Sequence, residues 1–284
     1  MRILVTGASG VIGRNLIPLL VKEGHVVGGM VKNPDRARIV ADMGAKPYVV
    51  DAFHRKDVFD MLQTFRPDVV IHQITALSQG SSVDNARVRI EGTNNIVDAA
   101  KHVHVKKIVV QSISWAYEAG GEPASEYIEL DRSAPDPRKT TIDGIVSLEQ
   151  KVTEIPEYVI LRNGALYGPG TWYAADGSIA DKVRKREMTA NDGVTSFVHV
   201  QDAVNAIMLA LDWESGIVNI VDDTPVSGKV WLPAYARLLG AEEPTMRDEK
   251  NGIERGASNT KAKNLGWSPI FASWEDGFKD MLLK

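Results

Sequence analysis

The chain has 284 residues, 44% hydrophobic and 25% charged, with a formal net charge of −4 and no cysteine. Such a composition excludes disordered, fibrous and coiled-coil classes, and the length suits one large domain or two unequal ones. The missing cysteine rules out disulfides, a thiol nucleophile and thiolate-held metal, and the mild acidity argues against a nucleic-acid partner, which needs a basic face.

The chain opens on an apolar strand at residues 3–5, a start that predicts no secretory leader. No run approaches the roughly 20 apolar residues of a membrane span. A cytoplasmic protein without a membrane partner is therefore expected. Short β-branched runs at 3–5, 26–31, 47–50, 69–71 and 108–110 alternate with helical periodicity at 11–22, 35–43, 57–65 and 84–102. Strands that are apolar throughout, separated by amphipathic helices, predict an α/β fold with a doubly wound parallel sheet. Pro18 falls inside the first helical stretch, where it removes a ladder donor. Residues 120–139 read as a long loop, 141–153 as a helix and 158–161 as a strand. Beyond 163 the elements shorten and aromatics accumulate. The predicted organisation is a large domain over 1–162, joined again by 196–211, and a smaller substrate-binding part over 163–284.

The first turn carries the clearest signal. Gly7, Ser9, Gly10, Val11, Ile12 and Gly13 follow the first strand and open the first helix. Gly7 permits a tight turn, Gly10 lets the backbone approach a pyrophosphate, and Gly13 lets helix and strand pack closely. This predicts a Rossmann dinucleotide-binding domain. The second strand ends on Lys32, with Arg36 a turn later, where a binder of the unphosphorylated cofactor places an acid. Cations there predict NADP(H), with NAD(H) as the alternative.

With these residues assembled, the chain resembles the extended short-chain dehydrogenase/reductase family, the group of nucleotide-sugar epimerases and dehydratases. Residues 6–13 resemble its TGxxGxxG loop, 70–73 its VIHxA strand end, 91–93 its NxxGT helix, 162–170 its RxxNxYGPG stretch, 197–202 its FIHVDD and 261–269 its KAxxxLGWxP. The resemblance implies that Asp51 and Ala52 meet the adenine, and that Gln73, Ile74, Thr75, Arg89 and Asn163 line the cofactor. Arg89 stands where the family has asparagine. It further implies a small-molecule substrate held by Tyr167, Trp172 and Tyr173, and a homodimer through the helices at 84–102 and 141–153.

One departure bears on chemistry. The family's catalytic pair is Tyr-x-x-x-Lys on the helix after the long loop, and aligned here those positions hold Asp143 and Ser147. No tyrosine lies between Tyr127 and Tyr158 to supply a shifted register. Ser112 or Ser114, after the fifth strand, remains as a group to polarise a carbonyl. Tyr117 is the first candidate for proton donor, ahead of Tyr173, Asp176 and Asp143. No metal site is expected: His102 and His104 read as a solvated helix end, and His199 with Asp202 as packing rather than a dyad. The basic run 181–187 reads as a solvated helix face, with contact to a substrate phosphate as the alternative. Asp222 and Asp223 read as a turn. The expected protein is an NADP(H)-dependent oxidoreductase or epimerase-like enzyme acting on a small polar or sugar-like substrate. A cofactor-sensing regulatory protein and a non-redox isomerase or lyase are its rivals.

Overall fold

The computed structural model describes residues 1–76, 81–249 and 255–283. A seven-stranded sheet has the order β11-β6-β5-β4-β1-β2-β3. Its strands are β1 (Arg2–Thr6), β2 (Val26–Val31), β3 (Lys46–Val49), β4 (Val69–His72), β5 (Lys107–Ile113), β6 (Glu157–Asn163) and β11 (Gly216–Ile220). The pairs from β3 through β5 run parallel. Ile3, Leu4 and Val5 are all wholly buried, because helices cover both faces and leave neither side of a central strand for polar residues. Those helices include α1 (Val11–Lys22), α2 (Ala37–Asp42), α3 (Arg55–Phe65), α4 (Ser82–Arg87), α5 (Thr93–His102) and α6 (Arg138–Val152). Helix α1 runs through Pro18 without a break.

The stretch read as one helix over 84–102 is two. A five-residue π turn, Val88–Gly92, separates α4 from α5. Across it Val88, Arg89, Gly92 and then Thr93 are all buried.

The chain forms two compact units. Unit 1 comprises Met1–Ser112, Arg132–Leu161 and Ile207–Ile217, and unit 2 comprises Ile113–Asp131, Arg162–Ala206 and Val218–Lys284. This corrects the expected boundary. Residues 113–131 go with unit 2, and the segment that rejoins unit 1 is 207–217 rather than 196–211. Lys107 holds that segment. Its ammonium, 5% exposed, donates to the carbonyls of Leu211 at 2.8 Å and Trp213 at 2.6 Å. The core of unit 1 gathers Leu4, Met30, Leu62, Phe65, Val70 and Ile108 with α6's Leu148 and Val152.

In unit 2, β7 (Ala165–Tyr167) pairs in parallel with β10 (Phe197–His199). Around them Phe197, Trp231, Tyr235 and Phe278 build an aromatic core. Tyr235 lies on α9 (Gly228–Leu238) and Phe278 on α11 (Trp274–Leu282). No described helix is long and apolar enough to cross a membrane.

Candidate functional site

The end of β1 meets the end of β4 too closely for any side chain. A Cβ on Gly7, whose φ is +68°, would lie 2.7 Å from the Gln73 carbonyl oxygen. The loop then closes on itself, Gly10 N–H donating to the Gly7 carbonyl at 2.9 Å and Ala8 N–H to Met30 at 3.2 Å. A Cβ on Gly13 would lie 2.7 Å from the Ala8 carbonyl carbon, so α1 leans directly on the loop backbone. Gly10 caps α1 in extended conformation, no side chain caps the first turn, and no acidic residue sits in it. Ile12 is buried, whereas Ser9 and Val11 keep partial exposure beside the turn. The result is a helix N-terminus whose positive pole and N–H groups the protein leaves for an anion.

A second observation at the same edge points to a ligand. Gln73 is 7% exposed, yet among the described residues neither its side-chain nitrogen nor its oxygen has a hydrogen-bond partner. Beneath it runs a buried chain: Thr6 Oγ1 meets His72 Nδ1 at 2.8 Å, and His72 Nε2 meets Thr93 Oγ1 at 3.0 Å. Burial pushes the His72 imidazole down to about 4, so the ring is neutral and lends no charge. Ile74 packs partly against the core and Thr75 is exposed. A glycine cradle beside an unpartnered buried amide fits a dinucleotide.

The adenine end gathers around Asp51. Lys32 Nζ, largely exposed, pairs with Asp51 at 3.0 Å. Burial pushes the Asp51 carboxyl up, but the Phe53 N–H bond and Lys32 outweigh it and hold the group below its usual range. The Arg87 guanidinium stacks 4.3 Å above the Phe53 ring, with Lys32 Nζ 5.9 Å from the same ring. Ala52 is buried, and its carbonyl accepts from Asn95 at 2.8 Å. Arg36 is exposed on a short turn capped by Asn33. Phe53 and Arg87 escape a reading by motif, because a stacked pair 34 positions apart has no sequence spacing to announce it.

The catalytic candidates separate. Ser112, 1% exposed, donates its hydroxyl proton to the Glu149 carboxylate at 2.6 Å. Glu149 is itself buried. The signal for it is visible afterwards: Ile142, Ile145, Glu149 and Val152 fall on one buried stripe of α6. Arg89, 5% exposed, lies within Coulomb reach of Glu149, and its Nη1 has no hydrogen-bond partner. Asp143 points to solvent and is paired with Lys139 at 2.9 and 3.0 Å. Ser114 opens a buried turn, Ser114–Ala116.

In unit 2, Tyr117 is 3% exposed and donates its hydroxyl proton to Asn219 Oδ1 at 2.6 Å. The Asn219 amide in turn donates to the carbonyls of Ala124 at 3.0 Å and Ser258 at 3.1 Å. The Arg162 guanidinium lies 4.8 Å over the Tyr117 ring. Burial raises the phenol above its ordinary value. Tyr117 is therefore tied to strand β11 through Asn219, and its proton is already committed. Asn163 is buried, with Oδ1 unpartnered. Tyr167 and Tyr173 pack into the aromatic core, their rings edge-on to Phe197 at centroid distances of 6.2 and 5.5 Å. Trp172 is 46% exposed. Asp176 is exposed.

His102 bonds Gln63, while Asp202 accepts from the backbone of Ile270 and Phe271, and no metal-holding cluster occurs among the described residues.

A model of the NAD dependent epimerase/dehydratase family matches residues 3–221. A Streptomyces sp. 3-diazoavenalumate denitrifying reductase is 38% identical over 98% of this chain and 99% of its own. A UDP-glucose 4-epimerase of Mycolicibacterium smegmatis is 27% identical over 96% of this chain and 95% of its own. Among solved structures, the NAD complex of the Thermus thermophilus UDP-glucose 4-epimerase superposes with a TM-score of 0.79 at 24% identity, covering 99% of this chain and 98% of that one.

Proposed function

The chain belongs to the NAD dependent epimerase/dehydratase family, and on that premise we propose that it is an NADPH-preferring reductase that replaces the nitrogen of a small aromatic diazonium substrate with hydride. The observation that carries this reading is α6. Where the resembling family carries a phenol and an amine, this helix presents a solvent-facing Asp143 ion-paired to Lys139, and Ser147 one turn on. A carbonyl reductase must protonate the oxygen it creates. Exchange of hydride for dinitrogen has no such requirement. An arenediazonium cation and a hydride yield arene and N2: a C–H bond forms, the C–N bond breaks, its electron pair leaves with the nitrogen, and no proton is taken up. The 38% identity to a denitrifying reductase acting on a diazo compound supports the same class.

Bound NADPH would supply the hydride. The loop from Gly7 to Gly13 and the first turn of α1 would take its pyrophosphate, and the Gln73 amide would find partners in it. Lys32, Arg36 and Arg87 form a cationic rim beside Asp51 and Phe53 that suits a 2′-phosphate. No role in proton transfer is assigned to Tyr117, whose hydroxyl proton is committed to Asn219. Dimerisation through the faces of α5 and α6 is part of the proposal by family analogy alone.

Two assays test it. Fluorescence titration with NADPH and NADH should show NADPH bound at least tenfold tighter, about 1.4 kcal/mol; equal affinities would remove the Lys32 and Arg36 assignment. An arenediazonium salt with 4-deuterated NADPH should give deuterated arene and N2 above the enzyme-free rate. Turnover of a ketone or a UDP-sugar without diazonium turnover would overturn the reaction class, and cofactor binding without turnover of any of them would favour a sensor.

A further inference from the structure

Ser112, Glu149 and Arg89 come from three separate elements of unit 1: the end of β5, the buried stripe of α6 and the π turn before α5. A serine hydroxyl owns one proton and two lone pairs. In a site that reduces carbonyls, that proton is wanted by the substrate oxygen, where negative charge develops. Here it points the other way. The 2.6 Å bond from Ser112 to Glu149 falls in the short range of a hydroxyl donating to a carboxylate, and both residues are at least nine-tenths buried. What Ser112 has left to offer a ligand is acceptor capacity alone.

Resting on the reading above, we propose that Glu149 is a positioning residue that fixes Ser112 as a hydrogen-bond acceptor, so that this corner of unit 1 selects a cationic hydride acceptor over a neutral carbonyl. A buried carboxylate needs a counter-charge to be tolerated, and Arg89 provides it. Arg89 lies with Val88 and Gly92 on the buried face of the π turn, while Ile90 and Glu91 face out.

The test uses the full chain loaded with NADP and two ligand isosteres, phenyltrimethylammonium and tert-butylbenzene, alongside diazonium turnover. Wild-type protein should bind the cation at least tenfold tighter than the neutral isostere. Glu149→Gln, whose amide offers protons to Ser112, should abolish that preference while the NADPH affinity stays within twofold. It should also lower diazonium kcat/KM at least tenfold and raise the rate on a neutral aldehyde relative to the diazonium. If Glu149→Gln misfolds by stranding Arg89, the double variant Glu149→Met with Arg89→Met removes both buried charges together and should show the same loss of cation preference. Folded variants that keep the wild-type preference overturn the proposal, as does equal binding of both isosteres by wild-type protein. A cation preference that Glu149→Gln removes, in a protein without diazonium turnover, would uphold the role of Glu149 and overturn the reaction class instead.

Discussion

Replacing Gly13 by alanine tests the cofactor cradle at its tightest point. The new methyl would lie 2.7 Å from the Ala8 carbonyl carbon and 2.8 Å from the Gly7 carbonyl oxygen, and closer still to the Ala8 oxygen. Ordinary contact needs about 3.5 Å, so loop and helix must part by roughly 1 Å. Alanine gains about 1 kcal/mol of helix propensity over glycine, whereas overpacking against backbone costs about 1–3 kcal/mol. The net loss is up to about 2 kcal/mol, a fall in Tm of up to about 8 °C for a chain of this size. The larger effect is on the ligand. The displaced N–H groups are the ones proposed to meet the pyrophosphate, so NADPH affinity should fall at least tenfold, about 1.4 kcal/mol. Thermal melts with and without NADPH, together with a binding titration, measure both. Gly121→Ala is the control, because a Cβ there meets nothing within 4 Å. A Gly13→Ala protein that melts like wild type and binds NADPH within twofold would refute the cradle.

Tyr117→Phe removes the proton that Asn219 accepts, and should cost about 1–2 kcal/mol of stability in urea melts while changing kcat/KM less than threefold; a hundredfold loss of kcat would reinstate Tyr117 as proton donor. Lys107→Met strands the Leu211 and Trp213 carbonyls and should destabilise by about 3 kcal/mol, read by denaturant unfolding; an unchanged midpoint would show that the 207–217 segment is held otherwise. His72 has its folded pKa near 4 against 6.5 in the unfolded chain. Its stabilising contribution is therefore complete above pH 6.5 and declines by about 3 kcal/mol as pH falls towards 4, and an NMR titration of the imidazole with a midpoint above 6 would contradict this. Asp222 is the opposite case: burial raises its carboxyl from 3.8 to about 8. Its contribution is complete only below pH 3.8 and is lost progressively as pH rises from there through 8, so Asp222→Asn should be more stable than wild type at pH 9 and nearly equal at pH 3; equal stabilities at both would disprove the shift.

The parallel sheet was legible because its strands are buried on both faces, and such burial writes unbroken runs such as Ile3-Leu4-Val5. The cradle was legible because close backbone approach admits only glycine, at spacings set by one turn and one helix. What escaped depends on contacts remote in sequence. Nothing local to Tyr117 shows that Asn219, 102 positions away, takes its hydroxyl proton. Tyr167 and Tyr173 suggested a pocket because aromatics serve both pockets and cores; only the packing of Phe197, Trp231 and Phe278 around them shows the core. Glu149 belongs to no motif that the sequence displays. A carboxylate on an apolar helix stripe was the available clue, and its meaning required the serine of another element. The return to unit 1 was misplaced because an amphipathic helix, α8 (Val200–Ala210), reads the same on either side of a boundary, whereas the lysine that captures the segment lies 104 positions upstream of Leu211.

The polypeptide passes between its two units five times, at 112/113, 131/132, 161/162, 206/207 and 217/218. Neither unit is a continuous stretch, and strand β11, the edge of the main sheet, is laid down only after two of the three segments of unit 2 have been made. A ribosome therefore releases no self-sufficient half, and a gene fragment ending near residue 162 would encode a sheet with an open edge, a template for association with other chains. Recombination at any single point between residues 114 and 216 would divide both units at once.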